Sequence, residues 1–304
     1  MSGAPRGSGP TGRQRAVAER TARTILRRRV VNAMMTGVVA LAAFATTLPL
    51  VFILFHLVRS GASALSLDFF TQMPKPVGEP GAGMANAIVG TLILIATACA
   101  IGLPVGIGAG LYLADYGRTR MANVVRFLAD VLNGLPSIVL AVFAWQFLVR
   151  PLGHFSALAG GVALAAMMIP MVTRTTEEMV RLVPTALRES ALALGYSRAR
   201  TAMSVVLRTA GAGIVTGALV AVARIAGETA PLLFTAFGNH FWSVRLDQPI
   251  AALPLQIFYY ATSPYDEWHR LAWAASLVLI SVVFVISIAA RFATRSSAGS
   301  GHGD

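Results

Sequence analysis

Two formal charges stand where a membrane segment tolerates few. The run Ala223-Arg224-Ile225-Ala226-Gly227-Glu228-Thr229-Ala230-Pro231 lies within an apolar stretch at about 209–237, and between Arg208 and Arg245 only Arg224 and Glu228 are formally charged. An arginine at bilayer depth costs about 2.5–3.5 kcal/mol on insertion scales and about 10–17 kcal/mol on an isolated helix in simulation, so something must compensate it. Four residues apart, Arg224 and Glu228 share a helix face and can pair. Two chemistries follow. As a buried ion pair they would add little net stability and would fix how helices pack. Alternatively, their face borders an aqueous path for an anion, because a guanidinium offers planar, fixed donors that match phosphate or carboxylate oxygens bidentately. Glu228 would then hold Arg224 between passages, and Gly227 and Pro231 would ease local unwinding. A second polar interruption, Asn133-Gly134-Leu135-Pro136-Ser137, either lines the same kind of path or lets Asn133 bond a neighbouring helix.

The elements that must hold these groups are membrane helices. Of 304 residues, 56% are hydrophobic and 12% charged, against roughly 25% charged in soluble domains. Six segments reach or approach the ~20 residues needed to cross a bilayer: about 30–59, 84–114, 127–149, 154–173, 209–237 and 270–291. The first is too long for the ~7–15-residue core of a signal peptide, since no Asp, Glu, Lys or Arg occurs between Arg29 and Arg59. It therefore spans and stays, behind a basic tail at 1–29; a second tail follows at 292–304. Gly102, Gly106 and Gly110, four apart, leave one face of the second segment bare for close helix approach, with Pro104 expected to bend or loosen that helix. The apolar middle of the outer loop, 249–260, is too short and too proline-rich to span and reads as an interfacial or re-entrant piece.

Several chemistries are excluded or not indicated. The lone Cys99 sits in an apolar run and can form no internal disulfide, the five histidines are scattered, and no metal or catalytic constellation appears. The single lysine, Lys75, precedes Pro76, so the chain has no phosphate-binding loop of the G-x-x-x-x-G-K-[ST] type. If ATP drives this protein, another subunit binds it. The net charge of +12 would suggest nucleic acid in a soluble protein, but here the arginines lie between apolar segments and report orientation instead. One side receives the eight tail arginines, Arg118, Arg120 and Arg126, six from Arg174 to Arg208, and Arg291 and Arg295. The other receives Arg59, Lys75, Arg150, Arg245 and Arg270. Nineteen against five predicts that both termini are cytoplasmic.

The longest cytoplasmic break, 174–208, carries its own pattern. Thr175 and Glu178 have capping-box spacing, Pro184 suits a first helical turn, and Gly195 followed by Ser197 can stop one helix and cap the next. Leu187, Ala191 and Leu194 form a short apolar stripe that wants a protein partner or a lipid surface. Glu189-Ser190-Ala191, three residues, then Gly195 resembles the "EAA" loop of ABC-importer permeases, with Ser190 for the usual alanine and Arg208 where the motif ends in proline. In that family the loop forms a coupling helix docked on the cytoplasmic ATPase.

Three runs sharpen the resemblance: NGLPSIVLAVF, RTTEEMVRLVPTALRESALALGYSRARTAMSVVL and ARIAGETAPLLFTAFG. They fall in order inside 84–291 and are similar to the phosphate-specific ABC permeases of the PstA type. The resemblance implies an all-α membrane protein of six transmembrane helices with the type I ABC importer permease fold. It implies a multi-pass subunit of the bacterial plasma membrane that imports phosphate without chemistry of its own. Its implied partners are a sister permease of the PstC type, an ATP-binding subunit dimer that holds ATP and Mg, and an extracytoplasmic phosphate-binding protein. The pathway residues expected on this basis are Arg224, Glu228, Thr229 and Asn133; the coupling residues are Glu189, Ser190, Ala191 and Gly195. An ABC permease for another small anion, or a secondary anion transporter, is the alternative.

Overall fold

A computed structural model of the chain describes residues 12–299, with side chains placed from Arg28 to Ile288 and at Phe292. The outermost parts of the two expected tails, 1–11 and 300–304, lie outside the described residues. Two units separate between His56 and Leu57. The first consists, over its described residues, of most of one helix, α1 (Gly12–Ala62). Its apolar span is Arg28–Ala62, and the helix begins before it, so the tail expected to end at residue 29 is helical from Gly12 onward.

The second unit opens with a short helix, α2 (Leu67–Thr71), capped by the Ser66 hydroxyl and burying Phe69. The long α3 (Ala85–Asp115) follows, unbroken despite Pro104. Its glycine face does what the four-residue spacing predicts. A Cβ on Gly102 would lie 3.1 Å from Met168, one on Gly106 2.8 Å from Val172, and one on Gly110 2.5 Å from Thr176. The partner helix is α7 (Ala157–Arg181), started by Ser156, whose hydroxyl accepts from Ala159 N. Because both sets of residue numbers rise together, α3 and α7 run parallel. The chain between them must therefore return across the membrane.

That return, expected at about 127–149 with an interruption at Asn133–Ser137, is longer and sharply broken there. It is α4 (Arg120–Gly134), then α5 (Ser137–Ala144), continued through a π-helical turn at Trp145–Val149 and α6 (Arg150–Leu152), with the two halves bent by 108°. Leu135-Pro136 makes the break: proline cannot donate the helical hydrogen bond and pushes the preceding residue to an extended conformation. Among the described residues, five helices are each long and apolar enough to span, and a sixth span follows if this bent pair is one crossing.

The fourth segment also differs from its expected end at 173. Helix α7 continues to Arg181, and Thr175 caps nothing; its hydroxyl bonds back to Met171 O, 2.9 Å, within the helix. The helix can persist because Glu177 satisfies the arginines that looked like loop residues. After Pro184 come α8 (Thr185–Ala193) and α9 (Arg198–Thr201), the latter capped by Ser197. A π-helical stretch, Ala202–Val206, joins α9 to α10 (Leu207–Ala226), so the fifth span starts at Arg198 rather than near 209. It stops at Gly227, and the short α11 (Ala230–Thr235) completes the crossing.

The apolar middle of the outer loop, expected to be an interfacial or re-entrant piece, forms α12 (Leu253–Ala261), with Leu253, Leu255, Gln256 and Tyr260 buried, and it leads to α13 (Asp266–Gly299), whose apolar span is Asp266–Ile288. The Leu253 N–H donates to the buried Thr91 hydroxyl of α3 at 2.8 Å, and Tyr260 stacks on Trp268 at 4.6 Å. The core is the seam of α3, α7 and α10, from Leu94 and Ala98 through Leu164, Met168 and Val172 to Ile225.

Candidate functional site

The depth of Arg224 follows from what α10 touches. A Cβ on Gly213 would meet Met179, one on Gly217 would meet Thr175, and Arg224 Nη1 reaches Met171 Sδ at 3.7 Å. Helix α10 therefore runs antiparallel to α7, and its last turn lies level with Met171. At 1.5 Å per residue, Met171 is about 21 Å from the start of α7 and about 15 Å from its end. Arg224 thus stands about midway along α7, two residues before the end of its own helix.

The helix breaks at this depth. Gly227 ends α10, Glu228 and Thr229 occupy the break, and Ala230-Pro231 starts α11. Discontinuous helices near the bilayer midplane are a recurrent way of building a substrate path, because unwound backbone is tolerated only where it is covered by protein or lines a cavity. Arg224 Nε and Glu228 Oε1 are 3.9 Å apart, an ion pair too long for a hydrogen bond. The Arg224 side chain is 51% exposed and Glu228 19%. Among the described residues, this half-exposed guanidinium is held by a long ion pair and a thioether alone, and it keeps most of its donors available.

Asn133 reaches the same level by a different route. On α4, Arg126 pairs with Glu177 and Asp130 with Arg174. One further turn along both helices sets Asn133 beside the level of Met171. It is exposed, and among the described residues its amide makes no side-chain hydrogen bond. Thr229 is half-buried, and its hydroxyl does not cap α11. The structure brings Arg224 and Glu228 together, and it sets Asn133 at their level without a hydrogen bond to them.

A stronger electrostatic centre lies one to two turns nearer the α8 end. Glu177, 3% exposed, accepts from Arg126 at 2.9 Å through both Nε and Nη2 and from Arg174 at 3.3 Å, and forms an ion pair with Arg181 at 2.6 Å. Arg174 also pairs with Asp130. These bonds turn the polar face of α4 toward the protein and leave Met121, Val124, Phe127 and Leu128 exposed, the inverse of a soluble amphipathic helix. Sequence reasoning missed this centre. The available signal was Arg126 and Asp130 at i,i+4 on α4, with Arg174, Glu177 and Arg181 spaced by three and four on α7.

The predicted coupling residues lie together on α8 and its exit. Glu189 and Ser190 are exposed, and the Ser190 hydroxyl is absorbed by Ala186 O at 2.8 Å, so serine in place of alanine leaves no unsatisfied group. Ala191 is buried, while Leu187 and Leu194 are exposed, which splits the predicted stripe between the body and the outside. Gly195 has φ +85°, with Gly195 N donating to Leu192 O and Tyr196 N to Ala191 O, a Schellman closure that only glycine adopts cheaply. Arg188, beside Glu189, was not singled out from sequence. It joins α8 to the end of α3 through Asp115 and to α7 through Val180 O at 2.8 Å.

Comparison with known proteins agrees with this architecture. Residues 102–297 match the family model of the binding-protein-dependent transport system inner membrane component. The phosphate transport system permease protein PstA of Yersinia pestis is 49% identical over 80% of this chain and 82% of its own length. Its counterpart in Haemophilus influenzae is 44% identical over 87% and 94%, and PstA 1 of Mycobacterium tuberculosis strain H37Rv is 37% identical over 87% and 88%. Among solved structures, a chain of the inward-facing MetNI methionine ABC transporter superposes with a TM-score of 0.56 at 20% identity, covering 70% of this chain and 97% of that one. With a family match over residues 102–297 and PstA relatives at 37–49% identity, the chain belongs to the binding-protein-dependent ABC transport permeases, in their PstA-type branch.

Proposed function

We propose that this subunit forms one side of a phosphate path, with Arg224 as the anion-contacting group at its middle. The observation that carries the reading is the half-exposed Arg224 guanidinium at the α10 break, 3.9 Å from Glu228 and without a strong hydrogen-bond partner of its own. Lipid cannot cover such a group at low cost, so the surface around it faces water or a second permease. Phosphate entering between the two permeases displaces Glu228 and takes the planar donors of Arg224, and Thr229 and Asn133 contribute neutral donors at the same depth.

The chain supplies no chemistry. ATP and Mg belong to a cytoplasmic ATPase dimer, on which Glu189, Ser190, Ala191 and Gly195 dock. A sister permease of the PstC type completes the path, and a phosphate-binding protein delivers substrate at the α12 side. Closure of the ATPases carries α8, and the Arg188 links to Asp115 and Val180 pass that displacement to α3 and α7 as rigid bodies. Both termini are cytoplasmic: six crossings return the chain to its starting side, and the arginine excess marks that side.

The test is ATP-dependent uptake of labelled phosphate into vesicles holding the reconstituted complex. Arg224→Gln should abolish uptake while leaving the complex assembled, and Gly195→Asp should uncouple ATP hydrolysis from uptake. Uptake by the wild type that continues without the ATPase would point to a secondary anion transporter instead.

A further inference from the structure

The ends of α3, α8 and α9 enclose a pocket of about 510 Å³ that the transport path does not use. Its walls include Tyr112, Asp115 and Tyr116 on one side and Arg188, Arg198 and Thr201 on the other. Three features set it apart from a packing defect. Arg198 lines it, and among the described residues no hydrogen bond or ion pair engages its guanidinium. Thr201 lines it as well, 4% exposed, and its hydroxyl is buried without a hydrogen-bond partner. The one carboxylate present, Asp115, is already neutralised by Arg188. A second hollow shares the 114–116 wall and adds Arg118 and Arg181. With Arg188 offset by Asp115 and Arg181 by Glu177, Arg198 and Arg118 supply the uncompensated positive charge here.

Its depth limits what can enter. Tyr112 is about 40 Å along α3 from Ala85, beyond a hydrocarbon core of roughly 30 Å, so the pocket opens at headgroup level. The Tyr112 and Tyr116 rings stack at 5.4 Å and give it an amphipathic wall suited to that level. Arginine forks with a hydroxyl donor are a phosphate-recognising set.

We propose that this pocket binds a phosphate group through Arg198, Arg188 and Thr201. The occupant is either the headgroup of an acidic phospholipid or free inorganic phosphate on the α8 side. Either source carries the same oxyanion. Bound there, it bridges α9 to the Arg188 that ties α8 to α3, and so stiffens the coupling segment. The orientation given above decides only which compartment supplies the free anion.

Hydrogen exchange across 185–201 tests this, using the full chain in lipid nanodiscs. One arm compares phosphatidylcholine alone with phosphatidylcholine containing phosphatidylglycerol; the other adds inorganic phosphate to the phosphatidylcholine discs. A several-fold slowing with phosphatidylglycerol alone assigns the headgroup, slowing with inorganic phosphate alone assigns the free anion, and slowing with both supports the shared chemistry. Arg198→Gln, an exposed position that leaves the Asp115–Arg188 pair in place, should remove the effect. Arg224→Gln should not, which separates this site from the transport path. Unchanged exchange in both arms, or equal slowing in Arg198→Gln, overturns the proposal.

Discussion

Alanine substitutions at the glycines of α3 should change sign with the face they occupy, and the structure gives the order. In a helix, Gly→Ala gains about 0.8–1 kcal/mol because glycine loses more backbone freedom on folding. At Gly108 nothing lies within 4 Å of the added Cβ, so that gain should appear almost whole. At Gly102 the new atom meets Met168 Sδ at 3.1 Å, the end region of a flexible side chain that can shift, and gain and cost should nearly cancel. At Gly106 it meets the branched Val172 at 2.8 Å. At Gly110 it meets Thr176 Cβ at 2.5 Å and the Thr173 carbonyl at 2.7 Å, where backbone must move. Overpacking of this kind costs about 1–3 kcal/mol, so Gly110→Ala should come out destabilised by about 1–2 kcal/mol net and Gly106→Ala by somewhat less. The assay is equilibrium unfolding of the full chain in mixed micelles, which keeps the lipid-like environment constant across the series. The informative comparison is Gly108→Ala against Gly110→Ala, two residues apart on one helix with identical chemistry. Equal shifts at both would refute the claim that the glycine face exists for contact with α7.

Three further outcomes follow from single residues. Glu177→Gln removes the charge that three arginines share; loss of one partner of a buried ion cluster costs about 3–5 kcal/mol at full burial, and the partial exposure of Arg126, Arg174 and Arg181 lowers the expectation to about 2 kcal/mol in the same unfolding assay. Gly195→Ala must adopt φ near +85° and should cost about 1–2 kcal/mol locally, seen as faster exchange of the Tyr196 amide with little change in global unfolding. Thr91→Val strips the acceptor from the buried Leu253 N–H and should cost about 1–3 kcal/mol, with the α12 amides losing protection before those of α7.

Reading the chain as spans worked where the determining interactions were local. The glycine face of α3 was legible because four-residue spacing alone selects one side of a helix, and the Gly195 turn because positive φ is a property of one residue. Expectations failed where a distant partner overrode a local signal. Thr175 and Glu178 matched a helix start, yet the arginines around them could stay helical once Glu177 and α4 neutralised them, so α7 ran on to Arg181. The third segment was apolar enough to span, but Pro136 bent it by an angle that spacing could not supply.

The sequence by itself determined a polytopic membrane chain, the approximate place of its apolar segments, its bias of arginine to one side, and the pairing of Arg224 with Glu228, since each depends on composition or on spacing within one helix. Only the tertiary structure decided that α10 stops level with the middle of α7, so that Arg224 stands beside a helix break rather than within an unbroken span. It also decided that α4 turns its polar face inward onto Glu177, and that Arg188 clamps α8 to α3 and α7. Depth, facing and clamping are set by which helices lie side by side, and that choice is made by packing between residues dozens of positions apart.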